Sequence, residues 1–197
     1  MALTSLLGPR ERTLGTTVRL IYVHGAWVWT ALMGFAAAGV TGLAGLMVRR
    51  PGWLRWAWAW GLSGTFFWIT YLPLSLWAMQ AAWNGLFLEE PRWRLGFDFA
   101  IIGLLLQIAL VLFGRPAWAA AANVGFAASL FWRLSQTEQV MHPSSPIASS
   151  ESAAIRFYFG LLLMLCVLAI WQLTHWFTAR LPQGEQEAPE AAEASGA

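Results

Sequence analysis

The chain has 197 residues, 58% of them hydrophobic and only 11% charged, with a mean hydropathy of +0.54 and a formal net charge of +2. A soluble domain carries about a quarter charged residues, so most of this surface is expected to face something other than water. Fourteen tryptophans point the same way, because an indole ring is apolar while its N–H seeks the wet membrane boundary.

In chain order, the opening stretch MALTSLLGPRERTLGTTVR lacks an apolar core long enough for a signal peptide, so the first apolar segment is expected to remain in the mature protein. A spanning helix needs about 20 mostly apolar residues. Five segments meet that length, at roughly 20–48, 56–80, 95–113, 117–134 and 155–178. The expected fold is therefore all-α, a polytopic membrane bundle with five transmembrane helices. It divides into a short N-terminal segment (1–18), a five-helix transmembrane domain (19–180) and a tail (181–197). The tail carries four of the ten acids, Glu185, Glu187, Glu190 and Glu193, is rich in Ala and Pro, and is expected to be disordered.

Within the first helix, Gly34, Ala38 and Gly42 recur at four-residue spacing, a stripe that lets helix backbones approach closely in lipid. Pro73 is expected to bend the second helix. Gln107 lies deep in the third and is expected to bond across helices. Asp98, one turn into that helix, is read as pairing with Arg92 or Arg94, and Glu89, Glu90 and Arg92 as a solvated loop. The lone Cys166 precludes an internal disulfide and is expected to pack as a small apolar side chain.

All twelve basic residues are Arg. Five spans put Arg10, Arg12, Arg19, Arg92, Arg94, Arg133 and Arg156 on one side, and Arg49, Arg50, Arg55, Arg115 and Arg180 on the other. That balance does not decide orientation by the positive-inside rule. The tight group Arg49, Arg50 and Arg55 in a short loop is read as cytoplasmic, which turns the longer loops outward and leaves the C-terminal tail inside.

Of three histidines, His24 opens the first helix and His142 precedes the fifth, so five spans bring both to one face together with the loop AAWNGLFLEEPRWR. His175 falls at the opposite face, where it reads as an interface anchor. Taken singly, His24 is a hydrogen-bonded boundary residue and His142 a loop residue. Taken together, two imidazoles from separate elements can ligate an iron from both sides of a porphyrin plane, with tryptophans flanking the ring. Zinc or copper would need a third or fourth ligand that the sequence does not display. No nucleophile–base–acid set, phosphate-cradling loop or nucleic-acid stripe is present, so hydrolysis and group transfer find no support.

The stretch RLIYVHGAWVWTALMGFAAAGVTGL, with Tyr22-Val23-His24 at its mouth, resembles the His-bearing entry helix of the haem exporter C type proteins and the wider cytochrome c assembly superfamily. FWRLSQTEQVMHPSSPIASSESAAIRFYFGLLLMLC resembles the second signature of that family, with His142 at the position of its loop histidine. The loop WNGLFLEEPRWRLGF takes the place of the family's tryptophan-rich outward loop. It departs from that pattern, keeping Trp83, Trp93 and a Glu90-Pro91-Arg92 remnant. The family's proline after the first histidine and its additional leading helix are missing. The likeness covers roughly residues 18 to 178 and rests on the order of these parts.

The resemblance implies an integral protein of the cell membrane that binds haem (haem b) and presents or transfers it at the outer face during cytochrome c maturation. His24 and His142 would be its axial metal ligands. Trp83, Trp93 and the LEEPR loop would line the haem face, and Arg92 or Arg94 would pair with a propionate. Implied partners are a haem chaperone or ABC-type maturation subunits within the lipid bilayer, and no nucleic acid. The alternative is a non-catalytic structural subunit of a larger respiratory or photosynthetic membrane complex.

Overall fold

A computed structural model describes residues 8–12, 14–138, 147 and 150–182. Among them are five helices: α1 (Val18–Val48), α2 (Pro51–Trp83), α3 (Pro91–Phe113), α4 (Pro116–Gln136) and α5 (Ala153–Thr178). At a rise of 1.5 Å per residue the 21-residue α4 is about 31 Å long and the 33-residue α2 about 50 Å. Three of them, α1, α3 and α5, are long and apolar enough to cross a membrane. The chain is thus a helical membrane bundle. His142 and the tail from residue 183 onward lie outside the described residues.

The helix ends follow local chemistry. Proline is tolerated at a first helical position because its missing N–H would have no partner there. Pro51, Pro91 and Pro116 each take that position. Ser152 caps α5 by accepting from the Ile155 N–H. Arg49, Asn84 and Gly114 close α1, α2 and α3 in the left-handed region, with φ of 52°, 54° and 64°. α2 continues unbroken through Pro73, whose absent N–H leaves the Ile69 carbonyl without its helical donor.

α2 packs against each of the other four helices, whereas α3 touches only α2 and α4 substantially. The small-residue stripe is the reason α1 and α2 lie so close. A Cβ on Gly34 would stand 3.1 Å from the Gly64 Cα, and one on Gly42 would stand 3.0 Å from the Ala120 carbonyl of α4. Gly34, Ala38 and Gly42 are all buried, as the spacing predicts. Phe35, Phe67, Trp68, Tyr71, Phe99 and Phe126 fill the core these contacts enclose. Cys166 is buried in a second cluster with Tyr22 and Leu162, packed as expected.

Cross-helix hydrogen bonds fix the register, which matters where no water competes. The Trp27 indole donates to Thr70 (2.8 Å), and the Trp68 indole to the Gly96 carbonyl (3.0 Å). Thr174 and Ser63 share a bond of 2.9 Å between hydroxyls. Gln107 donates to Asn123 across α3 and α4 at 2.8 Å, confirming the expectation for that residue.

Candidate functional site

The site grows from the first turns of α1. Successive helical residues rotate by about 100°, so positions 22 and 24 point to nearly opposite sides. Tyr22 turns toward α5, its ring 5.6 Å from that of Tyr158. His24 turns toward α2, its ring centroid 6.0 Å from Tyr71. His24 is half-buried, and its Nδ1 is the buried ring nitrogen.

Tyr71 links this histidine to α3. Its ring packs edge-on against Trp68 at 4.9 Å, and its hydroxyl lies against Gly96, where a Cβ would occupy the same space. Glycine at 96 is thus what admits α3 to this end of the bundle. Glu90 is within electrostatic reach of the Tyr71 phenol. Residues of the loop between α2 and α3 then take distinct places. Glu90 is 4% exposed and caps α3, accepting the Trp93 N–H at 2.7 Å. It is a buried cap and not part of a solvated loop, since an acid just before a first-turn proline is positioned to accept the free N–H groups of that turn. Glu89 remains exposed and pairs with Arg94 at 2.7 Å.

Arg92 is half-buried, and its Nε is buried with no hydrogen-bond partner among the described residues. A buried guanidinium donor without an acceptor is costly, and an anionic group is the natural complement. Trp93 is 9% exposed, with its ring 6.2 Å from Phe97, so it forms wall rather than open face. Trp83 is half-buried, edge-on to Phe87 at 5.9 Å. Arg94 is exposed and directed to Glu89. Asp98 does not pair with Arg92 or Arg94 among the described residues. It borders a polar recess of about 450 Å³ with Arg94, Arg133, Gln136 and Glu138, between the start of α3 and the end of α4. Sequence spacing made Asp98 and Arg94 neighbours, but the arginine reaches back beyond the helix start instead.

Of the residues named from sequence, His24, Trp83, Arg92, Trp93 and Arg94 lie at one end of the bundle, where α1, α3 and α5 begin and α2 ends. His142 lies outside the described residues. Ile147, five positions further on, packs beside Gly25, 3.7 Å from where its Cβ would be. Among the described residues no group of three or more His, Cys, Asp or Glu comes together. What this end offers is one imidazole on a rigid helix, aromatic walls and a cation with no partner among the described residues. That set suits a large planar ligand bearing carboxylates better than a bare ion.

At the far end, His175 stands edge-on to Trp56 (4.8 Å) and Trp171 (4.5 Å), whose own rings stack at 5.4 Å. Arg55 donates to the Thr178 carbonyl at the close of α5 (2.7 Å), and Arg180 lies 3.9 Å over the Trp176 ring. The Trp56–Trp171 pair has no counterpart among the residues singled out from sequence. Its signal was the WAWAW run opposite a tryptophan one turn before His175.

Comparison with protein-family models, curated proteins and solved structures yields no match.

Proposed function

We propose that this chain is a haem-binding integral membrane protein of cytochrome c maturation, five-spanning, that presents or transfers haem at the outer membrane face. The observation that carries the reading is the convergence of His24 with Arg92, whose buried Nε has no partner among the described residues, at one end of the bundle. His24, anchored on a helix, would be one ligand to the haem iron, and His142, from the loop before α5, would be the other. Chain reach supports that pairing. Five residues span at most about 18 Å, so His142 stays tethered to Ile147, which packs beside Gly25.

Haem would be the cargo, and bound it would supply an iron that imidazole can ligate. The chain does the rest. Arg92 neutralises a propionate. Trp83 would line the haem face, while the buried Trp93 would back it from within the wall. Glu90 fixes the start of α3 and so sets where Arg92 stands. Arg94, directed at Glu89, can exchange that exposed partner for the second propionate at little cost. The orientation rests on the connection carrying Arg49 and Arg50, with Arg55 in the first turns of α2, lying on the cytoplasmic side. A haem chaperone or ABC-type maturation subunits are the partners that fit a surface-presented cargo.

The test is a pyridine haemochrome assay on detergent-purified full-length protein. The reading predicts haem b at close to one per chain. Purified protein that neither carries haem nor takes it up on titration contradicts it and favours a structural subunit.

A further inference from the structure

A polar recess of about 450 Å³ lies between the start of α3 and the end of α4, and its reading requires only that the chain spans a membrane. Four exposed charged residues border it: Arg94 and Asp98 of α3, Arg133 of α4 and Glu138 just past that helix. Arg94 is engaged with Glu89. Asp98, Arg133 and Glu138 have no ion-pair partner among the described residues. One guanidinium and two carboxylates therefore share a space without pairing across it.

Helix geometry places this recess at a bilayer boundary. α3 and α4 run side by side from the Gly114–Arg115 turn, as the Gln107–Asn123 bond between them requires. At about 1.5 Å per residue, Asp98 stands about 22 Å from that turn and Arg133 about 26 Å. Pro91 and Gln136, at the rim, stand about 30–33 Å from it. With Arg115 at one edge of a hydrocarbon core about 30 Å thick, the recess opens at the other. Toward the turn, Ile101, Ile102 and Leu105 continue the Asp98 face of α3, and all three are exposed. Acyl chains cover a face of that kind, so the recess sits where their headgroups lie.

Charge and donor count select the headgroup. Opposite charges kept apart in one recess are complemented by a zwitterion, its phosphate on Arg133 and its ammonium on the carboxylates. A phosphatidylglycerol headgroup has no ammonium and brings a net negative charge to Asp98 and Glu138. Choline has no N–H to donate and is held by aromatic cages, but none of the described residues lining the recess is aromatic. A primary ammonium has three donors. We propose that the recess binds phosphatidylethanolamine, with its phosphate on Arg133, its ammonium on Asp98 and Glu138, and its chains along Ile101 and Leu105. The volume falls within the range of about 300–1,000 Å³ usual for small-ligand sites.

The experiment counts lipids bound to full-length protein in detergent by native mass spectrometry. The probes are dioleoyl phosphatidylethanolamine, phosphatidylcholine and phosphatidylglycerol, so that only the headgroup differs. Phosphatidylethanolamine is expected to bind saturably at one per chain, about three- to tenfold more tightly than either of the others. Glycerophosphoethanolamine, which lacks the chains, should not displace it at equal concentration. Asp98→Lys, which exchanges a carboxylate for a cation, should reverse the order so that phosphatidylglycerol binds best. Arg133→Gln and Glu138→Gln, at exposed positions, should each weaken phosphatidylethanolamine binding by about threefold with helical content intact. Equal affinity for the three lipids, displacement by glycerophosphoethanolamine, or an ethanolamine preference unchanged in Asp98→Lys or in both glutamine variants overturns the proposal.

Discussion

The two ends of the bundle each hold a histidine among aromatic rings, yet they are built for different work. At the far end His175 sits edge-on to two tryptophans. The neighbouring cations have partners there: a terminal nitrogen of Arg55 donates to the Thr178 carbonyl, although its Nε is buried with no hydrogen-bond partner among the described residues, and Arg180 lies over the face of Trp176. That end reads as an anchor at a boundary. At the near end His24 faces the ring of Tyr71, and Arg92 keeps a buried donor that nothing among the described residues receives. A histidine surrounded by tryptophan is thus not in itself a ligand site. What separates the ends is that the arginines beside His175 each have a partner, a carbonyl for Arg55 and a ring for Arg180, whereas Arg92 has none among the described residues.

The largest way to break the contrast is Gly96→Val. A Cβ there falls on the Tyr71 hydroxyl, so either Tyr71 or the start of α3 must move. We expect a loss of about 2–3 kcal/mol, read as a lower midpoint in thermal unfolding in detergent, while the Trp56–Trp171–His175 cluster stays intact. Replacing Glu90 with Ala removes the α3 cap and should cost about 1 kcal/mol by the same measurement. It should also lower haem uptake, because Arg92 loses its fixed position. Arg92→Ala should leave the unfolding midpoint nearly unchanged but weaken haem affinity, separating a binding role from a packing one. The smallest effect belongs to Arg94→Ala, whose exposed pair with Glu89 should contribute within about 0.5 kcal/mol. A larger loss there would show that the near end is held by its own contacts much as the far one is.

Much of the architecture was legible in the residues. The five helices lie where hydropathy placed them, and the Gly34–Ala38–Gly42 stripe is the α1 seam, because small side chains at helical spacing have few other uses in lipid. Helix starts were less legible. Pro51, Pro91 and Pro116 read as loop residues, although a proline just after a loop also suits a first helical turn. Of two adjacent acids, spacing did not say that Glu90 turns inward and Glu89 outward, since that choice is made by the N–H groups of a turn not visible in composition. The tryptophans misled in part. Trp58, Trp68 and Trp93 are buried at 1%, 3% and 9% exposure, so they serve the core as well as the boundary. The shared end of His24 and the loop after α2 followed from counting spans alone. The buried Nε of Arg92, without a partner among the described residues, did not, because it depends on which acceptors reach it.

The central claim is tested most directly by titrating haem into purified wild-type protein and the His24→Ala, His142→Ala and His175→Ala variants while recording the Soret band. The account predicts a saturable band with bis-histidine character in wild type and in His175→Ala, and its loss or conversion to a five-coordinate spectrum in His24→Ala and His142→Ala. A band that is unchanged in His24→Ala, or lost in His175→Ala, would contradict it.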